Sequence, residues 1–267
     1  MTPAFDAAGW RPPPLIRSRA ARWVLGLLTA VYLAAAFGTI EVDWPRVLAG
    51  LERGAAFVVA FARPDFVTHW QDIRAGLIES LTMTVTSTLV GIVISIPVAL
   101  GAARNLAHPL VYYVCRAIIA ASRAFQEIIL AILFVAMFGF GPFAGFVTLA
   151  FATIGFFAKL LAEDIEAMDP LPVEAIRATG AGWLQWINYA VQPQVMPRVI
   201  GLSLYRLDIN FRESAVVGIV GAGGIGATLN TAFDRYEFDT AAAILLVIIA
   251  IVMVAEYVSG LVRRWIQ

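Results

Sequence analysis

Long uncharged stretches, separated by short polar segments, dominate the pattern of this chain. A helix needs about 20 mostly apolar residues to cross the roughly 30 Å hydrocarbon core of a bilayer. With charges marking the helix ends, the pattern predicts six membrane-spanning helices, at about 23–40, 80–103, 109–138, 143–163, 195–220 and 240–262. The uncharged run 128–158 is too long for one straight span, and we expect the Gly-Phe-Gly-Pro turn at 139–142 to divide it.

The first apolar stretch has a second interpretation. Four arginines precede it, including Arg11 and Arg17, and three alanines at 34–36 resemble the cleavage site of a signal peptide. The stretch is long for such a leader, which favours a retained membrane anchor. In the polar segment that follows, residues 55–62 are apolar, a pattern that an interfacial helix explains.

The composition supports a membrane protein and argues against several other classes. Hydrophobic residues make up 60% of the chain and charged residues 14%, whereas soluble domains carry about 25% charged residues. Nineteen basic residues balance nineteen acidic ones, so no basic excess attracts nucleic acid. One cysteine and two histidines exclude an internal disulfide and a Cys/His zinc site. Because no Walker A or hydrolase motif is present, we expect no enzyme activity in this chain.

Basic residues in the short loops predict the orientation. With the N-terminus in the cytoplasm, Arg104, the loop 163–193 and Arg263 also face the cytoplasm. The segment 39–75 and the turn 139–142 then lie outside, and the turn carries no basic residue.

The cytoplasmic loop contains a short segment with clear helix boundaries. Asp169 and Pro170 suit a helix start, Gly180 and Gly182 suit its end, and a second short helix follows at about 183–191. Val173 and Ile176 give the first helix a small apolar face. Such a helix either rests on lipid headgroups or docks into a soluble partner, and the pattern alone leaves both interpretations open.

The same loop carries a family resemblance. Glu174-Ala175, Gly180 and Pro193 resemble the EAA loop of ABC-importer permeases, with Ile176 in place of the second alanine. Most of the chain after residue 110 resembles the phosphonate ABC-transporter permease family. This resemblance rests on the segments Gly139–Gly145, Lys159–Glu163, Pro193–Pro197, Leu204–Arg206 and Val220–Gly226.

The resemblance implies an all-α membrane protein with a fold like that of type I ABC importer permeases. Residues 1–75 then form a cytoplasmic tail, a first helix and an outer loop, and 76–267 form the core permease domain with a cytoplasmic coupling loop at 164–193. The implied coupling residues are Glu174, Ala175, Ile176, Gly180 and Gly182.

The implied function is that of the permease subunit of an ATP-driven importer, in the inner membrane of a bacterium, for phosphonate or a related phosphorus oxyanion. Phosphite, hypophosphite and phosphate esters are alternative cargoes. The implied partners are ATP-binding subunits, which hold the ATP and magnesium, an extracytoplasmic substrate-binding protein and a second, identical or related permease. A membrane-embedded enzyme acting on lipid phosphate is a remote alternative, because no nucleophile and base are evident.

Ionisable residues inside the predicted spans are costly and are expected to face a protein interior or a wet cavity. Arg116, Arg123 and Glu127 have spacings that place them on one face of a continuous helix, where Arg123 and Glu127 can pair. A second group is centred on Arg206. Arginine donors match the oxygens of a phosphonate, so these charges either line a substrate path or pair with each other. The candidate path residues are Arg123, Glu127, Arg206, Asp208, Arg212 and Glu213.

Glycines after the fifth predicted span match the G-x-G-x-x-G pattern of dinucleotide sites at Gly221, Gly223 and Gly226. That site requires a βαβ unit with a sheet around it, whereas this motif lies between two membrane segments. We therefore interpret Gly221, Gly223, Gly224 and Gly226 as a helix break that allows close backbone approach. The break is either a plain turn or part of an outer gate.

Overall fold

The computed structural model describes residues 18–40 and 43–266, with side chains to residue 261. Arg11 and Arg17 lie outside these residues. The described residues form helices and connecting turns, without strands. The helices are α1 (Arg19–Gly38), α2 (Trp44–Ala60), α3 (Trp70–Ala102), α4 (Pro109–Ala124), α5 (Glu127–Phe138), α6 (Pro142–Glu166), α7 (Leu171–Ala178), α8 (Trp183–Trp186), α9 (Gln192–Val217), α10 (Gly224–Asp234) and α11 (Phe238–Ile266). Single π-helical turns, Ile187–Val191 and Gly218–Ala222, follow α8 and α9.

Four described helices are long and apolar enough to cross a membrane by themselves, namely α1, α3, α6 and α11. The number becomes six if each of two bent pairs forms one span. The predicted third span is not straight, because α4 and α5 meet at 92°. The predicted fifth span extends beyond residue 220, and its axis turns by 58° where α10 begins. Helix α3 starts ten residues before the expected boundary, at Trp70.

The chain divides into two compact units, residues 1–55 and 56–267. In the first unit, the Ser18 hydroxyl caps α1 by accepting a hydrogen bond from the Ala21 amide. Helix α1 has 20 residues and no buried side chain. Helix α2 begins eleven residues before the expected apolar stretch 55–62 and ends within it, at Ala60.

In the second unit, α3 packs along α6, and small residues make their close approach possible. Gly91 faces Thr153, and a Cβ atom added at Gly91 would lie 2.6 Å from the Thr153 side chain. Small residues allow helix backbones to approach closely in membranes, where packing and hydrogen bonds replace the hydrophobic effect between helices. The buried small residues of α3 are Gly76, Ser80, Thr84, Ser87, Thr88, Gly91, Ser95, Ala99 and Ala102.

Helix α6 connects the glycine turn before it with the short helix α7 after it. It begins after the glycine turn 139–141 and ends at Glu166, just before α7. Near this second end, Phe157 and Ile165 of α6 pack in a core cluster with Ile119 of α4 and Val173 of α7. The short helix α7 is therefore held against the bundle by apolar contacts of its own.

Candidate functional site

Helix α7 has the boundaries that its sequence predicts. The Asp169 carboxylate accepts a hydrogen bond of 3.0 Å from the Leu171 amide. At the other end, Gly180 has a φ of 82°, a backbone conformation that glycine adopts without strain. The chain then turns into α8, where the Gly182 amide donates to Oε1 of Gln185 at 2.7 Å.

The two faces of α7 differ in their surroundings. Val173 is buried, and Ile176 packs partly buried against the same core cluster. Glu174 and Ala175 are exposed. The Arg177 guanidinium lies 5.7 Å from the centre of the Trp186 ring, which attaches α7 to α8. Protein contacts thus cover the small apolar face of α7, while Glu174 points to the surroundings of the bundle.

The charges of the predicted third span lie on two helices instead of one. Arg123 is in the last turn of α4, and Glu127 is the first residue of α5. The two helices meet at a bend of 92° around Phe125 and Gln126. The expectation that Arg123 and Glu127 share a face of one helix is therefore wrong. Arg116 lies elsewhere, since its Nη2 contacts Oε1 of Glu166 at 2.8 Å.

The break between α4 and α5 is fixed against the middle of α6. The Ser122 hydroxyl donates to the Phe151 carbonyl at 2.7 Å and accepts a hydrogen bond from the Gly155 amide at 3.1 Å. A Cβ atom at Gly155 would lie 2.9 Å from Cγ of Arg123. Close contact at Gly155 therefore sets the position of Arg123, which is exposed.

Arg206 lies at the same level of α6 and is only 2% exposed. Its Nε donates to Oγ1 of Thr153 at 3.0 Å, and its guanidinium lies 5.3 Å from the centre of the Phe156 ring. The carboxylates of Glu127 and Glu213 act electrostatically on this guanidinium. Nη2 of Arg206 is buried and has no hydrogen-bond partner among the described residues. The Nη2 group of this buried cation is thus unsatisfied among the described residues.

Asn210 continues this buried network one helical turn later. Its Nδ2 donates to Oγ1 of Thr153 at 2.9 Å and to Oγ1 of Thr88 at 2.8 Å. The Thr153 hydroxyl in turn donates to the Leu149 carbonyl at 2.6 Å. The network joins α3, α6 and α9, and Thr153 is its centre.

Asp208 and Arg212 form a separate ion pair on another face of α9. The Arg212 side chain is 53% exposed, whereas that of Asp208 is 14% exposed. Glu213 is half-buried and is influenced by the charges of Glu127, Arg206 and Arg212. The structure therefore gives Arg212 a partner on its own helix, while Glu127 and Glu213 act on Arg206 through their charges without forming an ion pair with it in the described part of the chain.

The glycine motif breaks the helix after α9. Gly221, Gly223 and Gly224 have φ values of 98°, 79° and 72°. Gly226 lies inside α10, where a Cβ atom would collide with the carbonyl of Ala215. Because the described residues contain no sheet, the motif lacks the βαβ unit that a dinucleotide site requires.

A second glycine turn, at the start of α6, packs against this break. The Gly141 amide donates to the Gly221 carbonyl at 3.0 Å. The Phe140 ring lies directly against Gly221, although its side chain is otherwise 87% exposed. A cavity of about 630 Å³ lies beside the two turns and is lined by polar residues that include His69, Glu79 and Glu237. The two turns form an interlocked backbone contact at one end of the bundle.

Comparison with known proteins identifies the family. Residues 91–267 match the family described as the inner membrane component of binding-protein-dependent transport systems. The chain belongs to this family. The matched region contains all the candidate coupling, path and glycine residues. Because the members of this family are transport components, the alternative of a membrane-embedded enzyme that acts on lipid phosphate is dropped.

Two curated relatives match this chain over nearly its whole length. It is 40% identical over 241 residues to the phosphite transport system permease protein PtxC of Stutzerimonas stutzeri, covering 90% of this chain and 87% of the relative. It is 39% identical over 249 residues to the phosphate-import permease protein PhnE of Mycolicibacterium smegmatis, covering 93% of this chain. The chain spans about half of that second relative, 47% of its length.

Superposition with solved structures of other proteins establishes the fold of this chain. An inward-facing structure of the MetNI methionine ABC transporter superposes with a TM-score of 0.64 at 24% identity, covering 74% of this chain and 97% of that chain. The predicted all-α fold of a type I ABC importer permease is confirmed.

Sequence reasoning did not select Thr88 and Thr153, and it noted Asn210 only as a member of the polar group around Arg206, without assigning it to the path. Only Asn210 gave a usable signal, because it follows Arg206 by four residues and therefore shares its helix face. The two threonines lie in apolar runs on other helices, and the packing of α3, α6 and α9 brings them to Asn210.

Proposed function

We propose that this protein is the membrane-spanning subunit of an ATP-driven importer for a phosphorus oxyanion, with phosphonate or a close analogue as its cargo. The observation that carries this proposal is the geometry of α7. Buried Val173 fixes the helix to the bundle, and exposed Glu174 faces outward in a loop that resembles the EAA loop. A helix held in this way transmits a push from a soluble partner to the bundle.

The partners follow from this arrangement. ATP-binding subunits dock on the α7 side, which faces the cytoplasm of a bacterium. An extracytoplasmic binding protein delivers the cargo at the opposite end, near the two glycine turns. A second permease copy, identical or related, completes the transport path. ATP-driven closure of the docked subunits then moves the two permeases between inward-open and outward-open states.

The chemistry of the bundle interior supports an anionic cargo. Arginine donors are arranged as a planar fork that matches the oxygens of a phosphorus oxyanion. Arg123 is exposed at the break between α4 and α5, and Arg212 is more than half exposed. Arg206 is buried, and its Nη2 has no hydrogen-bond partner among the described residues. We assign these three residues to the substrate path.

Three carboxylates, Glu127, Asp208 and Glu213, lie among these arginines. Their negative charge weakens the attraction for a dianion, which lets the cargo leave after it has bound. A transport path needs such moderate binding, since a tight site would retain the ion.

The interlocked glycine turns are assigned to the outer gate. The hydrogen bond from Gly141 to Gly221 joins the start of α6 to the break after α9. Separation of these turns would open a route beside the 630 Å³ cavity. Positive φ values at both turns allow the backbone approach that this contact needs.

Purification of the tagged protein from its native membrane tests this function. Mass spectrometry identifies bound subunits, and ATP hydrolysis is measured with purified binding protein and with phosphonate, phosphite, hypophosphite, a phosphate ester or phosphate. We expect an ATPase to co-purify and one of these oxyanions to stimulate it. If the chain purifies alone in several mild detergents, or if no oxyanion stimulates the ATPase, the proposal is wrong.

A further inference from the structure

An ion pair between α4 and α6 connects parts of the bundle that the chain itself does not connect. Glu166 is the last residue of α6 and lies five residues before the start of α7. Its Oε1 accepts hydrogen bonds from Nη2 of Arg116 and from the Arg104 amide, both at 2.8 Å. One carboxylate oxygen thus links the beginning of the coupling loop to α4 and to the segment after α3.

Arg116 is held at more than one point. Its Nε donates to the Ala102 carbonyl, at the end of α3, at 3.0 Å. Its guanidinium also lies 5.3 Å from the centre of the Tyr112 ring. The side chains of Arg116 and Glu166 are 28% and 32% exposed. A charge pair with several fixed contacts and little exposure is more rigid than a pair of free surface side chains.

The position of α4 makes this link mechanically important. Helices α6 and α9 are joined to the coupling loop through the backbone, so they move with it directly. Helix α4 is remote from that loop in sequence and receives its motion through side-chain contacts with α6. The Ser122 hydrogen bonds reach only the middle of α6, whereas the ion pair reaches the end of α6 beside the loop. Arg116 lies eight residues before the end of α4 at Ala124, which is about 12 Å at 1.5 Å per residue. The break that carries Arg123 and Glu127 follows immediately.

Apolar packing provides a second contact between α4 and the loop. Ile119 of α4 belongs to the same core cluster as Ile165 of α6 and Val173 of α7. Apolar contacts are non-directional, so such surfaces can slide while they remain in contact. The hydrogen-bonded pair has a fixed geometry, and therefore a displacement of Glu166 moves Arg116 with it.

We propose that the Arg116–Glu166 pair transmits movement of the coupling loop to the break between α4 and α5. Arg116 is thus a positioning residue, which acts on the substrate path through α4 and touches no cargo. The inference rests on the proposed function, because it requires an ATPase that pushes on α7. It assigns a specific role to an ion pair that belongs neither to the candidate coupling residues nor to the candidate path residues.

The chain offers a matched control in Arg198 and Asp164. Nε of Arg198 lies 3.1 Å from Oδ2 of Asp164, and the side chains are 59% and 29% exposed. This pair also joins the end of α6 to a neighbouring helix close to the coupling loop. Its partner helix is α9, which the backbone already connects to the loop. Removal of this second pair should therefore leave coupling intact.

The test compares variants of the assembled transporter in proteoliposomes, where uptake and ATP hydrolysis are measured together. For Arg116→Gln, we expect uptake per ATP hydrolysed to fall at least fivefold while the ATPase remains bound and active. Arg198→Gln should retain the wild-type ratio. Arg116→Lys, which keeps the positive charge, should recover part of the ratio. An unchanged ratio in Arg116→Gln, or an equal loss in Arg198→Gln, contradicts the inference.

A distance measurement covers the case in which Arg116→Gln assembles poorly. Spin labels are attached at cysteines introduced at Ala178 and Phe125, both of which are exposed. The labelled protein is prepared in two backgrounds that both carry Cys115→Ala, one with the native Arg116 and one with Arg116→Lys. We expect ATP to change the distance between the labels in the wild-type background and to change it less in Arg116→Lys. Equal changes in both backgrounds overturn the inference. Failure of the proposed function is recognised separately, because then no ATPase assembles with the unmodified chain.

Discussion

The hydroxyl of Thr153 accepts a hydrogen bond from Nε of Arg206 at 3.0 Å, near the middle of α6. The same oxygen accepts a second bond from Asn210. A buried cation and a buried amide therefore depend on one hydroxyl. This relationship joins α9 to α6 and orients the guanidinium so that Nη2 is the donor without a partner among the described residues.

Replacement of Thr153 tests the importance of this hydroxyl for stability. Thr153→Val keeps the shape of the side chain but removes the acceptor, so two buried donors lose a partner. We expect a loss of about 1–3 kcal/mol in the free energy of unfolding, the usual range for an unsatisfied buried group. Thr153→Ser retains the hydroxyl and serves as the control. Thermal unfolding of the purified transporter measures the difference, and equal stability of the Val and wild-type proteins contradicts this role.

Replacement of the Arg206 guanidinium by an amine tests whether this residue lies on the substrate path. We expect Arg206→Lys to raise the cargo concentration for half-maximal uptake by at least about tenfold, because a hydrogen bond to a charged group contributes roughly 1.5–3 kcal/mol. Arg198→Gln, which removes a cation close to the coupling loop, should leave this concentration unchanged. Uptake into proteoliposomes at several cargo concentrations provides the measurement. A normal half-saturation in Arg206→Lys would assign the residue to packing alone.

The backbone conformation of the break after α9 predicts that alanine is poorly tolerated at Gly223. Gly223 has φ 79° and ψ −166°, a region that is essentially restricted to glycine, where other residues incur about 1–3 kcal/mol. An added Cβ atom would also lie 2.6 Å from Oε1 of Glu79. We therefore expect Gly223→Ala to reduce uptake severalfold and to lower the unfolding temperature.

Gly54→Ala is the matched control for this substitution. Gly54 lies in α2, and a Cβ atom there meets nothing within 4 Å. Alanine is favoured over glycine inside helices, so this variant should be neutral or slightly stabilising. Equal uptake and equal unfolding temperatures in the Gly223→Ala and Gly54→Ala proteins would contradict the claim that the turn at Gly223 is constrained.

The sequence predicts the helices well because bilayer thickness dictates the length of apolar runs. It does not predict the bend between α4 and α5. Neither glycine nor proline occurs at Phe125 and Gln126, and the spacing of Arg123 and Glu127 is also that of a continuous helix. Only the polar Gln126 and Glu127 within a long apolar segment mark the break.

Contacts between distant segments are the other part that the sequence leaves open. Gly141 and Gly221 are each recognisable as turn residues, but their mutual hydrogen bond results from the packing of α6 against the end of α9. Similarly, Arg116 has the helical spacing of a path residue, whereas packing places it beside Glu166. Local patterns identify such residues, and tertiary packing selects their partners.

The most direct test of the account is charge reversal at Glu174, measured as uptake and ATP hydrolysis in the same proteoliposomes. Glu174 is exposed on a helix that Val173 fixes to the bundle. We expect Glu174→Arg to reach the membrane in normal amounts and to lose at least about tenfold in uptake per ATP hydrolysed. Glu52→Arg, an exposed reversal on α2, should transport normally. Normal uptake by the Glu174→Arg protein would contradict the claim that α7 couples this permease to an ATPase.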